Sequence, residues 1–177
     1  MTNIIAFLGP SGAGKSTLQG FLDIQPIVTW TSRLPRKGEI NGVNYHFTTN
    51  DTIMQMFEQG LLLEFTKYNG NLYGTPVVSL DEVILKGLLG SIIVDCNGAS
   101  ELRKKYSERV LLVGIYAPEE ECIARLKTRG DANVLLRVST YQEEVQAMQK
   151  LADITINNAK ENWDRSRKLV QLFKNPC

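Results

Sequence analysis

Neither sign of charge is in surplus in this chain: twenty Lys and Arg stand against nineteen Asp and Glu. Without a long-range field to favour nucleic acid or an acidic membrane surface, any anion binding must be local. Cysteine is scarce too. Cys96, Cys122 and Cys177 are odd in number, widely spaced and without a CxxC pair, which argues for free thiols in a reducing compartment rather than a disulfide framework or a zinc site. No apolar run approaches the ~18 residues of a membrane-spanning helix. The first apolar run follows no basic segment and is cut short by Gly9 and Pro10, unlike a signal peptide. Internal repeats and low-complexity segments are also missing. These absences predict a soluble, cytoplasmic protein with no membrane and no nucleic-acid partner.

What the 177 residues do contain is 43% hydrophobic content, enough for one substantial core and hence one domain. Apolar, β-branched runs at residues 3–8, 27–31, 91–95, 110–117 and 153–157 read as strands covered on both faces, a parallel sheet. Between them lie helix candidates with recognisable ends. Ser79-Leu80-Asp81-Glu82 reads as a capping box, Pro118 as a first helical position before EEECIARLKTR, and Trp163, Val170 and Phe173 as the core face of the last helix. The alternation predicts a doubly wound α/β fold. Residues 32–78 interrupt it as a small β-rich insertion with one helix, and residues 130–140, with Arg129 and Arg137 flanking, read as a flap.

GPSGAGKS, residues 9–16, follows the first apolar run and satisfies GxxxxGK[ST] through Gly9, Gly14, Lys15 and Ser16. Glycines let backbone amides turn inward around phosphate oxygens, Lys15 reaches the terminal phosphates, and Ser16 ligates Mg²⁺. TLQGFL supplies the helix this pattern requires behind the loop. An acid at the end of another strand completes such a site, and Asp95 after Ser91-Ile92-Ile93-Val94 is placed to orient the water shell of Mg²⁺; an Asp ending a strand is also an ordinary turn former. The insertion packs Arg33, Arg36 and Tyr45 into a short span. Two guanidinium forks and a phenol suit a dianionic phosphate, though composition alone equally allows a solvated basic loop. Glu39 either orients those arginines or is solvated, and His46, the single histidine, reads as structural or solvent-facing.

GPSGAGKST, TSRLPRKGEINGVNYHF, LLLEFTKYNGNLYGT, IIVDCNGA, RLKTRG and ITINN, in that order, resemble the guanylate kinase family across nearly the whole chain. The phosphate loop belongs to a vast superfamily; the pairing of TxRxPRxGExxGxxYxF with ExxxxxGxxYG is far more specific. The resemblance implies a three-layer P-loop NTPase fold with a five-stranded parallel sheet, a core of residues 1–31, 79–129 and 138–177, an NMP-binding insertion at 32–78 and a short lid at 130–137. It implies Mg²⁺-dependent transfer from ATP to GMP or dGMP by a monomer or small homo-oligomer.

By position, the resemblance assigns the ATP phosphates to Gly9, Pro10, Ser11, Gly12, Ala13, Gly14, Lys15, Ser16 and Thr17, with Arg129 and Arg137 as lid arginines and Asn157 near the adenine. It assigns the acceptor phosphate to Arg33, Arg36, Tyr45 and Tyr73, and the guanine edge to Glu64, with Thr29, Thr75 and Asn97 beside the base and Gly74 giving close passage. Lys15, Arg33, Arg36, Arg129 and Arg137 are the catalytic set, and Ser16 and Asp95 the metal set.

The chain also departs from the family. Asn97 replaces the second acid of a DxD, Trp30 a small hydroxyl residue, and Asn158 an Asp. The segment between the phosphate loop and Thr29 is shortened and the lid trimmed, so this is a compact or divergent member. A related kinase of another nucleoside monophosphate or a sugar phosphate, and an inactive protein-binding module, are the alternatives. Glu64 and Thr75 count against a baseless acceptor, and Gly14, Lys15 and Ser16 against an inactive module. A regulatory GTPase lacks support, since no NKxD motif is present.

Overall fold

Residues 4–8 are apolar without interruption, and the fold buries all five completely. Burial of Ile4, Ile5, Phe7 and Leu8 alone contributes roughly 6–12 kcal/mol before conformational entropy is set against it. In the computed structural model, which describes residues 1–174 except 69, 132 and 133 and the side chain of Arg137, this segment is β1 (Ile4–Leu8). After it come α1 (Lys15–Gln19), β2 (Trp30–Thr31), β3 (His46–Phe47), α2 (Asn50–Glu58), β4 (Leu62–Tyr68), β5 (Asn71–Pro76), α3 (Val77–Leu85), β6 (Gly90–Ile93) and α4 (Cys96–Tyr106). The chain finishes with β7 (Val110–Tyr116), α5 (Glu119–Thr128), α6 (Val134–Val138), α7 (Tyr141–Leu151), β8 (Ile154–Asn157) and α8 (Trp163–Leu172).

β1 pairs in parallel with β6 on one side and β7 on the other, and β8 extends the sheet beyond β7, giving the order β6-β1-β7-β8. Alternate side chains along a strand face opposite ways. Ile5, Phe7, Val113 and Ile115 therefore pack with Leu18, Leu126 and Val170 of α1, α5 and α8. Ile4, Ala6, Leu8 and Leu112 pack with Leu80, Leu102 and Met148 of α3, α4 and α7. Helices on both faces of a parallel sheet make the three expected layers.

The sheet has four strands among the described residues, not five. Residues 27–31 were expected to form the fifth, but the chain touches β6 through a single bridge, Pro26 to Ser91, with Ile27 donating its amide to Ser91 at 2.7 Å. Pro26 has no N–H to extend a ladder, and the next residues turn away. Trp30 and Thr31 join a second sheet instead, parallel to β3 and antiparallel to β5, in the order β3-β2-β5-β4. That mixed sheet, with α2 against it, is the inserted β/α unit. Its own small core holds Ile53, Leu62 and Leu72, with Trp30 packed on them and stacked on His46 at 4.6 Å. His46 is thus a packing residue.

Helix starts differ from expectation in two places. Ser79 lies inside α3, because the chain passes from β5 into the helix at Pro76 and the capping box is not used. Pro118 is the N-cap of α5 rather than its first residue. At the far end, Trp163 meets Phe21 edge to face at 5.7 Å and Val170 is fully buried, as the face pattern predicted. Cys96 and Cys122 are free thiols, and Cys177 lies outside the described residues.

Candidate active site

The phosphate loop leaves the buried β1 and returns as α1, with its glycines at positive φ: +133° at Gly9, +82° at Gly12 and +95° at Gly14. Close approach enforces glycine at the first two. A Cβ on Gly9 would stand 2.0 Å from the carbonyl oxygen of Ile115, and one on Gly12 would stand 2.6 Å from that of Cys122. Side-chain donors take up the loop's carbonyls. Lys15 Nζ donates to Gly9 and Pro10 at 2.6 and 2.9 Å, Asn158 Nδ2 donates to Ala13 at 2.8 Å, and Arg125 Nη1 donates to Gly12 and Ala13 at 3.4 Å.

Opposite the loop, the insertion presents its arginines. Arg33 grips Glu39 with two parallel hydrogen bonds of 2.9 Å and lies 5.4 Å from the ring of Tyr45, which meets Tyr73 at 6.1 Å. Burial works against the charge of Arg33, but Glu39 outweighs it and lifts the guanidinium pKa above its ordinary value. Burial likewise acts to raise Glu39, yet its bonds from Arg33 and the Arg36 amide carry it below the ordinary carboxylate range. Glu39 therefore does orient the arginines.

The third wall is β4 and β5. A register shift between Leu62 and Phe65 breaks the ladder at Glu64, the kind of bulge that re-aims a side chain. Glu64 is 8% exposed and accepts from Thr75 Oγ1 at 2.6 Å, Thr66 Oγ1 at 3.2 Å and Asn97 Nδ2 at 3.3 Å. Desolvation dominates these hydrogen bonds and raises its pKa. Asn97 thus stays at this end of the site as a donor to the carboxylate.

These walls enclose one cleft of about 730 Å³. The loop contributes Gly9, Ser11, Gly12, Gly14, Lys15, Ser16 and Thr17; the insertion contributes Arg33, Arg36, Tyr45, Glu64, Tyr73, Gly74 and Thr75; Thr29, Asp95, Asn97 and Arg129 complete the expected set. Pro10 and Ala13 stand behind the loop, outside the lining. Asn157 is not brought to the cleft: its Oδ1 accepts from the amide of Ala159 at 3.1 Å, and its neighbour Asn158 reaches the loop instead. The Arg137 side chain lies outside the described residues. Gly74 also serves packing, since a Cβ there would meet Leu62 at 2.6 Å.

Several lining residues escaped the sequence reading. Thr66 and Tyr68 continue the period-two face begun by Glu64, and Tyr68 shares a 2.9 Å hydrogen bond with Ser11 of the phosphate loop. Arg125 stands one turn before Arg129 on α5, its Nη2 bound to Glu121 at 2.7 Å and to the carbonyl of Asn158 at 2.9 Å. Cys96, with its thiol pKa raised by burial, and Thr140, Glu143 and Glu144 also face the cleft.

Mg²⁺ keeps several waters and takes few protein oxygens when it arrives with a nucleotide. Ser16 and Asp95, both exposed to the cleft, fit that demand; Asp95 spends Oδ1 on the amide of Gly98 as the N-cap of α4. Among the described residues no cluster of three His, Cys, Asp or Glu forms an all-protein metal cage. Nor is any helix among them long and apolar enough to cross a membrane.

Comparison with known proteins agrees with this geometry. The family model described as Guanylate kinase matches residues 1–171. A guanylate kinase of Rubrobacter xylanophilus is 34% identical over 97% of this chain and 93% of its own length, and one of Shouchella clausii is 34% identical over 90% and 82%. The crystal structure of a guanylate kinase from Anaplasma phagocytophilum superposes with a TM-score of 0.76 at 23% identity, covering 97% of this chain and 84% of that one, a likeness of fold. With a family match over nearly its whole length, this chain belongs to the guanylate kinase family.

Proposed function

We propose that this protein transfers the γ-phosphoryl group of ATP to GMP or dGMP, giving ADP and GDP or dGDP, with Mg²⁺ as the metal. The observation that carries this reading is the single cleft in which the phosphate loop faces Arg33, Arg36, Tyr45 and Tyr73 while Glu64 closes the far end. A donor triphosphate on the loop and a monophosphate on the arginines would then meet in line between the two anion sites.

Phosphoryl transfer passes through a loose transition state, so the protein's work is positioning and electrostatics. The loop amides and Lys15 hold the donor phosphates, and Arg129 with Arg137 neutralises the moving group. Arg33 and Arg36 hold the acceptor phosphate, with the hydroxyls of Tyr45 and Tyr73 completing the clamp. Glu64 accepts the paired N–H groups on the guanine edge, with Thr29, Thr75 and Asn97 beside the base. Ser16 and Asp95 would hold Mg²⁺, which when bound would supply charge neutralisation to the phosphates. Residues 32–78 act as the acceptor-binding insertion, residues 130–137 as the lid, and residues 1–31, 79–129 and 138–177 as the core of one domain, working in the cytoplasm as a monomer or small homo-oligomer.

An acceptor panel tests this reading. With ATP and Mg²⁺, ADP release should be fastest with GMP and dGMP, slow with AMP and negligible with a ribosyl phosphate, which has no base to offer Glu64. No turnover with any nucleoside monophosphate would refute it.

A further inference from the structure

Behind the arginines lies a second cleft of about 1020 Å³. Arg33, Arg36 and Arg129 line both clefts, whereas Glu39 and Asp131 line only the second. The two carboxylates therefore meet the guanidiniums in the second cleft, while the same three arginines also line the main one. Asp131 is the less expected of the two, because an acid after a glycine reads as a turn residue. Its side chain is only 2% exposed. Arg129 clasps it with two hydrogen bonds, Nε to Oδ1 at 2.7 Å and Nη2 to Oδ2 at 2.5 Å, and Arg36 Nη2 donates to the same Oδ2 at 3.3 Å. One oxygen thus joins an arginine of the insertion to an arginine at the end of α5. Arg36 is tied back in turn through Glu39, whose Oε1 lies 3.7 Å from its Nη1.

We propose that Asp131 is a positioning residue that couples the two nucleotide sites: by sharing Oδ2 between Arg36 and Arg129, it lets occupancy of either phosphate site preset the arginine of the other. The inference rests on the phosphoryl-transfer reading of the cleft. Two guanidiniums brought this close repel, and the buried carboxylate offsets that repulsion while restricting the rotamers of both. A phosphate that draws one arginine into its working position holds Asp131, and Asp131 holds the other arginine. Such coupling is reciprocal, so GMP should tighten the ATP site by the factor by which ATP tightens the GMP site.

Calorimetry of GMP binding with and without a non-hydrolysable ATP analogue measures that factor independently of turnover. The wild type should show at least about fivefold tightening, within the usual range for coupled sites. Asp131→Asn, which keeps the shape and removes the charge, should bring the factor close to one, and Asp131→Glu should restore part of it. In the Arg36→Ala background, Asp131→Asn should change the factor no further. A residue that merely stabilised the fold would shift the melting midpoint and leave the coupling factor of the folded fraction unchanged. That result, or a wild type without synergy, overturns the inference even if GMP is phosphorylated normally; failure of every nucleoside monophosphate in the acceptor panel strikes the reading beneath it.

Discussion

Replacing Glu64 with Gln changes one oxygen to an amide nitrogen at the end of the cleft where the base is proposed to sit. Glu64 already accepts three protein hydrogen bonds, from Thr75, Thr66 and Asn97, and it is charged against a desolvation cost that raises its pKa. In Glu64→Gln one charge-assisted bond to the guanine edge is lost, and its donor is left facing another donor. That costs roughly 1.5–3 kcal/mol, or about 10- to 150-fold in kcat/KM at about 1.36 kcal/mol per decade. The fold should suffer little, because relief of the desolvation cost opposes the lost hydrogen bonds; a melting shift within about 5 °C is expected. The two effects of pH have opposite signs. With its folded pKa raised above the unfolded value, Glu64 contributes stability that is fully present below the unfolded pKa and is lost as pH rises through the folded one. Guanine affinity does the reverse, since protonation removes the acceptor charge. In the wild type, kcat/KM for GMP should therefore fall on acidification through a midpoint above the ordinary glutamate range, and Glu64→Gln should lack that limb. A coupled ADP-release assay with GMP titrated at saturating ATP across pH reads both. Unchanged kcat/KM in the variant would refute the placement of the base at Glu64.

Other changes test the remaining walls. Lys15→Ala should lower kcat by about 100- to 1000-fold while calorimetry still detects GMP binding; undiminished turnover would contradict the role of Lys15. Gly9→Ala forces a side chain onto the carbonyl of Ile115 at a φ of +133°, and about 1–3 kcal/mol of strain should lower the melting midpoint by roughly 2–12 °C. Arg125→Lys removes the fork that spans Glu121, Asn158 and the loop carbonyls. KM for ATP should rise about tenfold with KM for GMP nearly unchanged, and equal effects on both would count against a donor-side role.

The sequence revealed most where one physical demand acts alone. Residues 4–8 and 110–116 must be buried on both faces, so their unbroken apolar character identified them as strands. The phosphate loop was legible from its spacing, whereas the insertion arginines, equally readable as a solvated loop, were singled out by the resemblance; the fold brings both to one cleft. The reading failed where two demands compete. Ile27 and Val28 have strand character, but Pro26 limits their ladder and Trp30 is claimed by the second sheet. Ser79 makes a sound capping box, yet β5 runs directly into α3 and the box falls inside the helix. Arg125 carries no signal of its own in the sequence, since only the fold brings it against residues 12, 13 and 158. Asn157 and Asn158 differ by one position: the first ends β8 and spends its Oδ1 on the amide of Ala159, while the second, just past the strand, meets the loop.

Helix α5 acts as a spacer bar. Near its start, the backbone of Cys122 is pressed so close to Gly12 that no side chain fits between them; just past its end, Arg129 reaches across to Asp131. The interval between the phosphate loop and Arg129 is therefore set by a whole number of residues on a stiff rod. Adding one residue between positions 122 and 129 would swing Arg129 by about 100° around the axis and advance it by about 1.5 Å, so drift within the family should spare the length of this segment even where its composition changes freely.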